Sequence, residues 1–231
     1  MFREEGDGDS REGTAQGGGG SRPDSSARAA ELLRHAVGYA LGTAQCVTPA
    51  LLHLPTPCTE WDLGGLMSHA DDSLAALHEG MAQGTVALHP DPAQGAARGD
   101  GYAAETGPPA RGDPAAAFRL RAARLLGAWT AAGPRRRLIV VADAPLTATA
   151  LALTGAVEMA VHGWDIARAT GSADRPIPAP LAVRLLPVAR HLIPHEGARH
   201  PLFAAELPVA PGAPPGDRLL AFLGRDPAYG T

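Results

Sequence analysis

The sequence contains no lysine, two cysteines and few aromatic residues. Arginine supplies every strongly basic side chain and the net charge is -4, so no basic field favours nucleic acid. Cys46 and Cys58 are too few for a disulfide framework, and we therefore expect a cytoplasmic protein. No apolar run reaches the roughly 18 residues of a membrane span, and the acidic, Gly-rich N-terminus does not resemble a signal peptide.

The residues that are present favour an all-α protein. Hydrophobic residues make up 45% of the chain and aromatic residues only 4%, with alanine, leucine and glycine prominent. Small and aliphatic side chains suit closely packed helices, whereas a β-sandwich is richer in β-branched and aromatic residues. Apolar residues also recur at helical spacing. This pattern predicts a helix that starts near residue 25 and others at about 62–81, 114–132, 147–170, 179–193 and 215–223.

Residues with capping propensity mark several helix ends. Either Thr59 or Asp62 can cap the second helix, because both side chains accept hydrogen bonds from exposed backbone N–H groups. The pair Asp113 and Pro114 predicts the start of the third helix. Gly171 is expected to follow the fourth helix as its left-handed terminating residue.

The segments between the helices suggest the domain organisation. Residues 1–24 have almost nothing to bury and predict a disordered tail. Residues 84–112, rich in Gly, Ala and Pro, predict a long mobile connection, and the β-branched run at 138–142 predicts an extended segment. We therefore expect a bundle over residues 25–171 and a helical, Pro-rich extension over residues 172–231 that packs on it.

Two polar side chains on the predicted fourth helix are candidates for chemistry. Glu158 and His162 are four residues apart, which places them on one helix face. Their neighbours Val157, Met159 and Val161 are apolar, and a buried charge without a partner is costly. A divalent cation would bind both side chains at once. The alternative is a hydrogen-bonded core histidine beside a glutamate in a salt bridge.

A third ligand for such a cation must come from another helix. His69 is the best candidate, because it lies between Leu66 and Leu74 on the apolar stripe of the predicted second helix. Two histidines and one carboxylate match a zinc site with an open fourth position. They also match the facial triad of non-haem iron enzymes. Spacing alone leaves zinc, iron and a metal-free core cluster open.

Three stretches of the chain resemble the DinB-like superfamily, in the branch that includes mycothiol-dependent maleylpyruvate isomerase. Residues 56–69 carry Thr-Pro-Cys, then Trp61 and His69, at the spacing of that branch's first signature. Residues 158–171 are similar to its second signature, E-x-x-x-H-x-W-D-x-A-x-A-x-G. Residues 214–227 resemble the closing stretch of a large actinobacterial group of metal-binding proteins in this superfamily.

The resemblance implies a fold, a ligand set and a chemistry. The expected fold is a DinB-like up-down-down-up four-helix bundle with a short C-terminal helical extension. His69, Glu158 and His162 are the implied metal ligands, with Zn²⁺ as the first choice and Ni²⁺ or Fe²⁺ as alternatives. The isomerase has a larger C-terminal domain than residues 172–231 provide. Maleylpyruvate is therefore not the expected substrate.

The implied activity is that of a metal-dependent thiol transferase or isomerase. It would act on a small molecule with mycothiol as co-substrate, as a monomer or homodimer, without a nucleic-acid or membrane partner. One alternative is a non-catalytic metal-binding or interaction module. Another is a thiol-independent tailoring enzyme of secondary metabolism.

Three residues are candidates for supporting the ligands. Asp165 lies three residues after His162 and is expected either to accept a hydrogen bond from that imidazole or to pair with Arg168. Asp72 likewise lies three residues after His69 and is open to the same two interpretations, a hydrogen bond with that imidazole or an ion pair. Trp164 is the third candidate and, like Trp61, is also a natural anchor at the end of a bundle.

No catalytic residue is assigned, and the arginines and the cysteine among the remaining polar candidates have two interpretations each. Arginines on the predicted third helix either contact substrate or form a solvated face. Cys58 is either activated by a helix N-terminus or simply packed. Histidines near the C-terminus are expected at the surface. These arginines and histidines are Arg119, Arg121, Arg124, His191, His195 and His200.

Overall fold

Six α-helices account for most of the described chain, and the all-α prediction is confirmed. A computed structural model describes residues 25–59, 61–86, 113–132, 138–141, 144–172, 174–199 and 203–230. The helices are α1 (Ser25–Ala44), α2 (Leu63–Gln83), α3 (Pro114–Ala132), α4 (Ala148–Ala169), α5 (Ala179–Leu192) and α6 (Pro215–Phe222). The predicted tail at 1–24 and all but the first three residues of the predicted connection at 84–112 lie outside the described residues.

The helix ends follow the capping residues in the sequence. Asp62, rather than Thr59, caps α2, and its side chain accepts a hydrogen bond of 2.8 Å from the Gly65 backbone N–H. The Asp113 carboxylate accepts one of 3.0 Å from the Ala116 N–H at the start of α3. Gly171 has φ +75° directly after α4, as predicted, because only glycine adopts this conformation without strain.

Small residues allow the bundle helices to approach closely. A Cβ atom at Gly155 would lie 2.6 Å from the Leu77 side chain, and one at Gly80 would lie 2.9 Å from Leu151. These two contacts pair residues in opposite order along α2 and α4, so the two helices are antiparallel. Close approach of helices through glycine explains how a core with so few aromatic residues remains filled.

A three-stranded sheet covers one end of the bundle. It consists of β1 (Thr85–Val86), β2 (Leu138–Val141) and β3 (Ala144–Thr147). Strand β2 pairs in parallel with β1 and antiparallel with β3. The extended run at 138–142 was predicted, whereas β1 occupies the start of the predicted connection and β3 was not predicted at all. The sheet packs beside Gly80, near the C-terminal end of α2.

The segment after α4 returns across the bundle. Helix α5 contacts α1, α4 and α6. An ion pair of 3.0 Å joins Arg184 of α5 to Glu31 of α1. The buried Arg199 guanidinium donates a 2.7 Å hydrogen bond to the Phe222 carbonyl. This bond attaches the segment between α5 and α6 to the C-terminal end of α6. Within the described residues, the structure contains no helix of the length and hydropathy that a bilayer crossing requires.

Candidate metal centre

Three potential metal ligands converge between α2 and α4. The distance from His162 Nε2 to Glu158 Oε2 is 3.2 Å, and that from His69 Nε2 to the same oxygen is 3.7 Å. One donor atom from each side chain lies within 4.8 Å of the other two. The structure therefore brings together the three residues that the sequence singled out.

The helix geometry explains this convergence. Glu158 and His162 lie one turn apart on α4, and the antiparallel α2 presents His69 to them from its first turns. The site and the sheet are at opposite ends of α2, since His69 and Gly80 are roughly 16 Å apart along the helix axis.

The loop before α2 fixes the ring of His69. The Trp61 indole stacks on that imidazole with ring centroids 4.2 Å apart and an interplanar angle of 30°. The buried Thr56 hydroxyl lies 2.9 Å from the Cys58 carbonyl and 2.8 Å from the Trp61 carbonyl, and these two acceptors share its single proton. The Thr-Pro-Cys and Trp61 elements of the first signature thus shape a loop that holds one candidate ligand in place.

The ring of His162 is held from its other side. Its Nδ1 lies 3.1 Å from Asp165 Oδ2, and Asp165 is fully buried. With Nδ1–H donating to this carboxylate, the Nε2 lone pair faces Glu158 and the cluster. Asp165 also accepts hydrogen bonds from Arg225, from Nε to Oδ1 at 3.2 Å and from Nη2 to Oδ2 at 3.4 Å.

The electrostatic environment favours the ionised carboxylate. Burial raises the pKa of Glu158, but the contacts with His162 and His69 outweigh burial and lower this pKa to about 2. Burial lowers the pKa of His162, but the hydrogen bond to Asp165 and the contact with Glu158 raise it to about 9. Without a metal ion, a proton on His162 would therefore balance the buried carboxylates, which is the metal-free interpretation of this cluster.

The donor spacing fits a divalent metal ion. Two ligands bonded at about 2.1 Å to one tetrahedral ion lie about 3.4 Å from each other. The two separations that involve Glu158, 3.2 and 3.7 Å, lie on either side of this value, and the separation between the two histidine donors is no more than 4.8 Å. Once an ion displaces the Nε2 proton of His162, the set would supply two neutral nitrogen donors and one anionic oxygen donor, as in catalytic zinc sites with an open position. His69, Glu158 and His162 could hold such an ion without moving far.

A cavity of about 680 Å³ opens beside the cluster. Trp61 and Cys58 line it from the loop, and Val161 lines it from α4. Phe203 and Arg225 line it from the segment after α5. The side chains of His69 and Glu158 keep 35% and 27% of their surface exposed, so the cluster is accessible from this cavity. A small molecule can therefore reach His69 and Glu158, whereas the His162 side chain is only 6% exposed.

The other sequence candidates lie in different places. Asp165 contacts His162 and forms its ion pair with Arg225, while Arg168 donates to the Pro227 carbonyl and lies over the Trp164 ring. Trp164 is buried in the core and does not line the cavity.

Asp72 has an exposed side chain and forms no hydrogen bond with His69 in the described structure. Cys58 is half-buried at the cavity wall, which is compatible with either of its interpretations.

The arginines of α3 do not line the cavity. Arg121 forms an ion pair of 2.8 Å with Asp71, and Arg119 pairs with Asp113 at 3.3 Å. Arg124 lies half-buried on the same helix, outside the cavity. These contacts favour a solvated helix face over substrate binding. Of the C-terminal histidines, His191 and His195 are exposed as predicted, and His200 lies outside the described residues.

Sequence reasoning missed Arg225 and Phe203 as residues of this cavity. Arg225 was within reach of prediction, because it belongs to the stretch 214–227 that resembles the closing segment of related metal-binding proteins. No comparable signal marks Phe203. Its position depends on how the chain between α5 and α6 folds back over the bundle.

The helical fold and a cluster of two histidines and a glutamate between its helices define a bundle protein with a candidate metal centre. The family described as mycothiol maleylpyruvate isomerase N-terminal domain matches residues 33–167, which include all three clustered side chains. The chain belongs to this family. Two relatives are "Uncharacterized protein MT0763" and "Uncharacterized protein Rv0738" from two strains of Mycobacterium tuberculosis. Each is 30% identical over 184 residues, covering 74% of this chain and 83% of the relative. No solved structure matches the chain.

Proposed function

We propose that this protein holds one divalent metal ion with His69, Glu158 and His162 and is a thiol-dependent transferase or isomerase. Zn²⁺ is the proposed ion, with Ni²⁺ and Fe²⁺ as alternatives, and mycothiol is the proposed co-substrate. The observation that carries the proposal is the convergence of three donor atoms within 4.8 Å beside an accessible cavity. The family to which the chain belongs supports the choice of thiol.

The chemistry follows from the charges around the cluster. His69, Glu158 and His162 would hold the divalent cation, which would lower the pKa of a thiol bound beside them, so that the thiolate would be available as the nucleophile. The ionised Glu158 carboxylate offsets part of the metal charge. The apolar side chains of Trp61, Val161 and Phe203 limit water at the cavity wall, which strengthens electrostatic interactions there. We place this activity in the cytoplasm, where low-molecular-weight thiols are kept reduced.

The first test measures the metal directly. Elemental analysis should find one metal ion per chain in the wild-type protein and almost none in His162→Ala. His191→Ala is the matched control, because this exposed histidine does not line the cavity beside the cluster and should leave the metal content unchanged. Full metal content in purified His162→Ala would rule out the proposed ligand set.

The second test asks whether the open position accepts a thiol. Mycothiol added to the cobalt-substituted protein should produce a sulfur-to-cobalt charge-transfer band, and S-methylated mycothiol should not. A protein that binds metal but shows no spectral change with mycothiol would favour the non-catalytic module or the thiol-independent tailoring enzyme instead.

A further inference from the structure

We propose that Arg225 is a positioning residue of the metal centre, which acts through Asp165 to fix the ring of His162. This inference rests on the proposed function, because the orientation of His162 matters most when its Nε2 binds a metal ion. It adds a residue from the C-terminal segment to a site that otherwise lies between α2 and α4.

The end of α6 directs Arg225 into the site. Gly224 has φ +77°, its N–H donates to the Ala221 carbonyl at 3.0 Å, and the Arg225 N–H donates to the Leu220 carbonyl at 2.9 Å. These two bonds form the terminating motif that glycine allows after a helix. A Cβ atom at position 224 would lie only 2.7 Å from the Ala204 Cβ, so glycine is required by packing as well as by backbone conformation.

The Arg225 guanidinium then determines how Asp165 is oriented. Its Nε lies 3.2 Å from Oδ1 and 3.4 Å from Oδ2 of this carboxylate, and its Nη2 lies 3.4 Å from Oδ2. Asp165 is fully buried, and the Arg225 side chain is only 13% exposed. Two donors in a planar fork restrain a carboxylate more than a single point charge does.

The oriented carboxylate in turn fixes the imidazole. The same Oδ2 atom that accepts from Arg225 lies 3.1 Å from His162 Nδ1. A hydrogen bond at Nδ1 sets both the tautomer and the angle of a ligating ring, and partners of this kind typically change metal affinity about 10- to 100-fold. Arg225 also lies at the cavity wall, so the alternative role is direct contact with a substrate. That role predicts no effect on the affinity for metal alone.

Arg168 provides a matched control. Like Arg225, Arg168 joins α4 to the C-terminal segment. It lies on α4, and its Nη2 donates to the Pro227 carbonyl at 3.1 Å. Within the described structure, Arg168 contacts the Pro227 carbonyl and the Trp164 ring and forms no hydrogen bond with Asp165. Arg168→Met therefore removes a tether of the C-terminal segment without removing the hydrogen bonds to Asp165.

The experiment measures the Zn²⁺ affinity of the full chain by competition with a chromophoric chelator. Arg225→Gln should weaken affinity about 10- to 100-fold. Arg225→Lys keeps the charge but not the paired N–H donors of the guanidinium, and it should recover part of this loss. The Zn²⁺ affinity of Arg168→Met should stay within about twofold of wild type. In a background of Asp165→Asn, Arg225→Gln should cost little more, because the residue through which it acts is already altered.

Circular dichroism and thermal melting establish that each variant is folded. If a charged Asp165 without Arg225 impairs folding, the comparison in the Asp165→Asn background still tests the inference. Wild-type affinity in Arg225→Gln would overturn this inference alone. An equal loss in Arg168→Met and Arg225→Gln would also overturn it, because the effect would then come from tethering. Failure of the wild-type protein to bind Zn²⁺ would overturn the proposed function together with this inference.

Discussion

Replacing Trp61 by alanine removes the ring that stacks on His69. The two candidate histidines are restrained in different ways. His162 has a hydrogen bond at Nδ1, whereas His69 has 35% of its side chain exposed and lies 4.2 Å from the Trp61 ring. Without the indole, His69 gains rotamers that point away from Glu158, and metal binding must select the productive one.

The size of this effect follows from the stacking energy. A pair of stacked rings contributes about 0.5–1.5 kcal/mol beyond the area that it buries. If this energy is used to orient His69, then its loss weakens metal binding about two- to tenfold, since about 1.4 kcal/mol corresponds to a factor of ten. Trp61→Phe keeps an aromatic ring at this position and should retain most of the affinity.

Competition titration with a chromophoric chelator measures the Zn²⁺ affinity of both Trp61 variants. The refuting result is an unchanged affinity in folded Trp61→Ala. Equal losses in Trp61→Ala and Trp61→Phe would also refute the reasoning, because they would show that the indole acts through something other than its stacking face.

Four substitutions test the packing and the support of the site. Asp165→Asn should weaken Zn²⁺ binding about 10- to 100-fold in the same titration, because an amide does not orient the His162 ring as an anionic acceptor does. An unchanged affinity would contradict this role of Asp165. Gly155→Ala should lower the free energy of unfolding by about 1–3 kcal/mol because its Cβ would lie 2.6 Å from Leu77, whereas Gly127→Ala, with nothing within 4 Å, should raise it by about 0.5–1 kcal/mol. Chemical denaturation measures both, and an equal effect at the two glycines would contradict the packing argument. Asp62→Ala should cost about 1 kcal/mol in the same assay through the lost helix cap, and a stability equal to wild type would show that this cap contributes nothing.

The parts of the fold that local patterns specify were predictable. Helical periodicity and the caps at Asp62 and Asp113 placed α2 and α3 to within two residues, because both signals act over a few neighbouring positions. Strand β3 was missed because it carries no such local signal. It contains Pro145, has an exposed side chain at every position and directly precedes a helix, so nothing in its own sequence alternates.

In the candidate site, too, local spacing predicted some contacts, whereas tertiary packing determined the others. The spacing of Glu158 and His162 predicts that they share a helix face, and the two signatures predict that His69 joins them. Asp72 has the same spacing from His69 as Asp165 has from His162, yet its side chain is exposed. Equal spacing on two helices leads to different contacts, because burial depends on what packs against each helix.

The resemblance of residues 214–227 marked the stretch that contains Arg225, but no rule of spacing placed this arginine against Asp165. It lies far along the chain from His162 and reaches Asp165 only because Gly224 turns the chain after α6. Trp61 illustrates the same limit. The first signature marked this tryptophan, but its stack on His69 depends on the loop that the Thr56 hydroxyl closes.

X-ray absorption spectroscopy at the metal edge is the most direct test of the ligand set formed by His69, Glu158 and His162. The zinc-loaded protein should show two imidazole nitrogens and one carboxylate oxygen at about 2.0–2.2 Å, with a further light atom at the open position. Addition of mycothiol should replace that atom by one sulfur at about 2.3 Å. A spectrum without imidazole scattering, or a purified protein that takes up no zinc, would contradict the account.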